Sequence, residues 1–200
     1  GTNEYWLLLC QNLFNIYNCV IGTTKNTTGS TTFRQAGQFG SWSVSNTGAV
    51  LPSLFAFCRD QALALQADFI TPNFWLFDLG VNDAAQLTAQ ATFVSEFQAL
   101  LSYVRSGAGN NSLNFQPIVS AQGAVTAASI DAIRAAEIQL WNAGAGFLPA
   151  GSFAHLLPDL DGTHWNSQAS KQKICDIITR HFIGNGRAPQ YSSGSKSGNQ

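Results

Sequence analysis

Charge is what this sequence has least of. Asp, Glu, Lys and Arg make up 10 % of its 200 residues, against about a quarter in typical soluble domains. The net charge is −1, and the few cations form no stripe. A nucleic-acid partner is therefore not expected. No apolar run reaches the roughly 18 residues of a membrane span, and no signal peptide is visible, so no membrane role is expected. Four cysteines (Cys10, Cys19, Cys58 and Cys175) follow no zinc-ligand spacing. Cys10 and Cys58 stand in apolar runs, which favours buried thiols over bridges. The start at Gly1-Thr2-Asn3 fits a processed product or part of a longer polypeptide.

What is present is apolar and globular. Hydrophobic residues are 45 % of the chain, enough for one substantial core. Asn, Gln, Ser, Thr and Gly must then supply the polar surface. Such a surface suits a secreted, extracellular or virion-associated protein.

Helical periodicity marks Glu4 to Ile16, with Trp6, Leu9, Cys10, Leu13 and Tyr17 on one side. Pro52 to Leu65, Ala84 to Arg105, Ala124 to Trp141 and Gln168 to Phe182 read as further helices. In the second of these, Phe93, Phe97, Leu100, Leu101 and Val104 form one stripe. Strand candidates are Cys19 to Ile21, Ser41 to Val44, Phe74 to Leu79, Phe115 to Ser120 and part of Phe147 to Leu157. Strands alternating with helices predict an α/β fold with a mostly parallel sheet. Residues 1–183 read as one domain. Residues 184–200 are polar and Gly/Ser-rich, as in a flexible tail or linker.

Two short blocks carry chemistry. Gly80-Val81-Asn82-Asp83 follows the apolar run Phe74-Trp75-Leu76-Phe77, and Asp161-Gly162-Thr163-His164 stands some eighty residues later. A carboxylate three residues before a histidine can orient the imidazole and stabilise its charged form. An asparagine at a strand end can offer its amide to a developing oxyanion. Each block also has a plain reading. Asp161 can cap the helix that begins at Gln168. Asn82-Asp83 can form a turn that caps the helix after it. Trp165 can simply pack, or stack on a sugar.

With those two blocks in that order, the chain resembles the SGNH (GDSL-type) hydrolases from about Glu4 to Phe182. The resemblance implies a three-layer, flavodoxin-like fold. Its five-stranded, mostly parallel sheet has order 2-1-3-4-5 and is flanked by helices. It implies that His164 is the base, Asp161 its orienting acid and Asn82 an oxyanion donor. It also implies a second oxyanion donor, a glycine N–H. Gly29, in Gly29-Ser30-Thr31-Thr32, is the preferred match, and Gly48 the alternative.

The family's Gly-Asp-Ser block is not in these residues. Three placements of the nucleophile stay open. The serine can precede Gly1, with Tyr5 to Leu9 in the helix after it. Tyr5 to Cys10 can itself be the first strand, with Asn12 replacing the serine in a dead enzyme. Phe39-Gly40-Ser41 is a faint third match. In the first case the first strand and the serine come from an upstream segment or a second chain. The implied activity is hydrolysis of acyl esters by a serine esterase, with O-deacetylation of a carbohydrate as the expected class. No metal or cofactor is required. The alternative is a catalytically inactive SGNH-fold module, structural or glycan-binding, on a virion or cell surface.

Overall fold

The computed structural model describes residues 5–18, 32–33, 42–43, 60, 63–64, 74–77, 80–108, 114–119, 124–143, 151–152 and 167–184. In chain order these form α1 (Tyr5–Tyr17), β1 (Phe74–Phe77), α2 (Val81–Ala85), α3 (Gln90–Ala108), β2 (Asn114–Val119), α4 (Ala127–Asn142), β3 (Gly151–Ser152) and α5 (Gln168–Gly184).

Neither the α/β fold expected from alternating strands and helices nor the five-stranded flavodoxin-like sheet implied by the family resemblance is what these residues form. They are predominantly helical. The four long helices have 13, 19, 16 and 17 residues, and the strand segments 4, 6 and 2. The three segments pair in parallel in the order β1-β2-β3. Pro117 stands inside the middle strand, opposite Phe77 of β1. Its neighbour Ile118 stands opposite Gly151 of β3. A proline has no N–H to donate to a ladder.

Two other strand candidates are not strand where they are described. Tyr5 to Cys10, one candidate for a first strand, is helix. Trp42 and Ser43 are not strand, although the Trp42 N–H donates to the Thr32 carbonyl at 3.0 Å. The candidate at Cys19 to Ile21 lies outside the described residues.

The helices form where the apolar period favours them, and local chemistry sets their ends. Thr126 caps α4, its hydroxyl accepting the Ser129 N–H at 3.3 Å. Ser167 caps α5 in the same way, accepting the Ser170 N–H at 3.1 Å. The cap position of α5 is thus filled without Asp161. α1 ends at Asn18, whose φ of 48° is left-handed and whose N–H returns to the Phe14 carbonyl at 2.7 Å. Asparagine tolerates that conformation better than most residues.

The core lies between α3 and α4. Phe93, Phe97, Leu100, Leu101 and Val104 of α3 are all buried, with Ile130, Ile133, Ala136 and Leu140 of α4 opposite. Phe33 wedges into this face from far upstream. Its ring centroid lies 5.1 Å from that of Phe93 and 6.1 Å from that of Phe97, edge-on to both. Such aromatic contacts add about 1 kcal/mol each beyond the burial itself. Among the described residues no helix is long and apolar enough to cross a membrane.

α1 and α5 pack together, burying Leu9 and Leu13 against the α5 side that carries Ile174, Cys175 and Ile178. Cys10 and Cys175 both remain thiols, while Cys19 and Cys58 lie outside the described residues. Burial pushes the Cys175 thiol up from 9.0 to about 11, with smaller contributions from Asp176 and Cys10. The folded state therefore holds this proton longer than the unfolded chain does. The associated stability is complete below pH 9.0 and is lost as pH rises from there to about 11. Urea unfolding at stepped pH should show that decline, and Cys175→Ala should flatten it while lowering stability throughout.

Candidate functional site

Of the five residues given site roles in the sequence, one falls among the described residues. Asn82 is the second residue of α2 and is half-buried. Asp161, His164, Trp165 and Gly29 lie outside the described residues, as does the alternative Gly48.

The turn that carries Asn82 is built around Gly80. Its φ of 152° and ψ of −32° belong to a region that a Cβ forbids. α2 starts immediately after it, the Ala84 N–H donating to the Gly80 carbonyl at 2.8 Å. Asn82 is thereby set on a short, rigid turn just past the carboxyl end of a strand.

Asp83 fixes this turn to the rest of the molecule. It is fully buried. Its carboxylate accepts the Phe33 N–H at 3.0 and 3.2 Å and the Thr88 hydroxyl at 2.8 Å. A carboxylate this deep is tolerated only because donors surround it. The effect is to hold Thr32 and Phe33, close in sequence to Gly29-Ser30-Thr31-Thr32, against the residue next to Asn82. Sequence reasoning gave Asp83 a capping role for the following helix. It missed Phe33, because the donor is a backbone N–H fifty residues away that no local pattern marks.

α2 closes with crossed bonds. The Leu87 N–H donates to the Ala84 carbonyl at 3.1 Å, and the Thr88 N–H to the Asp83 carbonyl at 2.9 Å. This is the Schellman arrangement, in which the residue after the cap is left-handed and usually glycine. Here that residue is Leu87, with φ of 56°. A left-handed non-glycine residue costs about 1–2 kcal/mol. Its side chain recovers little of this by burial, being 73 % exposed.

The second half of the candidate site is defined by direction. Cys10 lies close enough to Cys175 for the thiols to influence each other. Further along, Asn12, Asn15 and Ile16 share a hollow with Asp176, Thr179 and Arg180. Advancing along α1 matches advancing along α5, so the two helices run in the same direction where they touch. His164 precedes α5 by four residues, a span of about 14 Å at most. The parallel pairing of β1, β2 and β3 also puts their carboxyl ends at one edge, which is where ligands gather in parallel sheets. The Gly80–Asp83 turn follows β1 in the chain.

No family model, curated protein or solved structure matches the chain.

Replacing Asp83 tests the anchor. Asp83→Ala strands the Phe33 N–H and the Thr88 hydroxyl in the core and should cost about 3 kcal/mol in urea unfolding, with Asp83→Asn costing less. Asp131 is the control. It is exposed and pairs with Arg134 at 3.1 Å on the surface, so Asp131→Asn should change stability by less than about 1 kcal/mol. Equal effects at the two positions would refute the anchoring role.

Proposed function

We propose that the chain carries most of an SGNH-type serine ester hydrolase, whose nucleophile enters from polypeptide ahead of α1. The observation that supports this most is the parallel run of α1 and α5. The missing serine is expected just before one helix, and Asp161 and His164 stand just before the other. The helical state of Tyr5 to Cys10 agrees with its place after the nucleophile block, and removes the reading that puts Asn12 in the serine's position. The capping of α5 by Ser167 likewise removes one competing task for Asp161.

In this reading the serine hydroxyl, from an upstream segment or a second chain, attacks the acyl carbonyl. His164 takes its proton, and Asp161 orients the ring and stabilises the imidazolium. Negative charge developing on the carbonyl oxygen meets the Asn82 side-chain amide and the Gly29 N–H. The intermediate collapses, and His164 passes the proton to the leaving alcohol. Water, activated by the same histidine, then releases the acid and restores the serine. The groups named need no metal or cofactor for these steps. The rigid turn at Gly80 and the Asp83 anchor suit a donor that must be aimed before charge develops. A neutral acetylated carbohydrate is the substrate class, since the chain has few charges to recognise ions and Trp165 beside the base offers a face for a sugar ring.

Hydrolysis of p-nitrophenyl acetate by the polypeptide with its upstream residues tests the proposal. His164→Ala should lower kcat by about 10⁴-fold or more. Asn82→Ala should lower it by about 10²- to 10³-fold, as the loss of one oxyanion donor does. Wild-type rates in the His164 variant would refute the assigned roles. The absence of any ester hydrolysis in the unsubstituted protein would favour a binding or structural module.

A further inference from the structure

We propose that the hollow between α1 and α5 is a binding site for a neutral carbohydrate. Asn12, Asn15 and Ile16 of α1 line one side and Asp176, Thr179 and Arg180 of α5 the other, around a volume of about 390 Å³. That volume falls in the range of small-molecule sites. The site stands apart from the esterase reading and serves an enzyme or a binding module equally.

Thr179 is 6 % exposed and is the most buried of the six. Its hydroxyl oxygen is shielded from water and has no hydrogen-bond partner among the described residues. Buried hydroxyls in folded proteins nearly always have a partner, and one without is a place to look for a missing group. Thr179 borders a hollow with room for such a group. A ligand hydroxyl could donate to it or accept from it.

The charges of the hollow are also uncommitted to each other. Asp176 and Arg180 stand one turn apart on α5, the spacing at which opposite charges usually pair. They do not: the ion pair among the described residues joins Asp131 to Arg134. The Asp176 carboxylate instead accepts the Gln172 side-chain amide at 2.9 Å.

The lining fixes the class of ligand. One carboxylate and one guanidinium cancel, so the hollow favours neither a net anion nor a net cation. The carboxylate accepts, the guanidinium donates, and the amides of Asn12 and Asn15 do both. Sugar hydroxyls, which donate and accept at once, match that set. Ile16, 46 % exposed, supplies aliphatic surface for the C–H face of a pyranose ring.

Nitrogen-edited NMR of the protein, titrated with cellohexaose, xylohexaose, mannohexaose and chitohexaose, tests the site. The Asn12 and Asn15 side-chain amides and the Arg180 Nε–H should shift saturably with at least one of these sugars. Arg180→Ala should raise the Kd for that sugar about tenfold and Thr179→Val about threefold, the losses expected for a charged and a neutral hydrogen bond. Thr179→Val keeps the side-chain shape and removes an unpartnered hydroxyl, so its thermal midpoint should equal or exceed that of the unsubstituted protein. A lower midpoint would overturn the inference, by showing that the hydroxyl serves the fold. No saturable shift with any of the four sugars, or affinity unchanged in both variants, would overturn it as well. Shifts with sodium phosphate and with no sugar would make this an anion site and likewise overturn the carbohydrate assignment. None of these outcomes touches the esterase reading, which p-nitrophenyl acetate tests separately.

Discussion

One buried carboxylate ties together parts of the chain that lie fifty residues apart. Asp83 lies in the core with no solvent contact, and its oxygens are engaged by Phe33 and Thr88. A buried carboxylate needs donors, and in a low-dielectric core the interaction with them is strong. Phe33 must therefore stay beside α2, and its ring falls between Phe93 and Phe97. The stretch at residues 42–43 follows, through the Trp42 bond to Thr32 and the Ser43 hydroxyl, which donates to Glu96 at 2.6 Å. A polar anchor and an aromatic wedge thus fix the same residue, Phe33, by its backbone and by its ring.

That anchor explains why a turn of five residues can be a platform. α2 alone is too short to be stable. It is sustained by Gly80 at one end, by the crossed bonds at Leu87 and Thr88 at the other, and by Asp83 from within. Catalytic use of Asn82 would require this rigidity, since an oxyanion donor works by being oriented before the charge appears. The pairing of α1 with α5 supplies a second constraint, because it holds two sequence-distant helices together.

The sequence made the long helices legible because their apolar positions repeat at 3.6 residues. The α3 stripe from Phe93 to Val104 is buried as that period requires. The break between α2 and α3 was not legible, since Ala84 to Arg105 reads as one continuous helix and only the left-handed Leu87 interrupts it. The expected five-stranded sheet rested on short apolar runs alternating with helical stretches, and such runs carry no period that separates a strand from a buried helix segment. At the site, the block around Asn82 was visible as a motif after a strand. The service Asp83 performs was not, because charge burial and a partner fifty residues away leave no mark in a local pattern. Asp161, His164, Trp165 and Gly29 lie outside the described residues.

Amide hydrogen exchange at Phe33 probes the anchor most directly. If its N–H is held by the Asp83 carboxylate inside the core, it should exchange as slowly as the amides of Phe97 and Leu100 in α3, through global unfolding alone. Exchange at the rate of an unprotected surface amide, with those α3 amides still protected, would contradict the account.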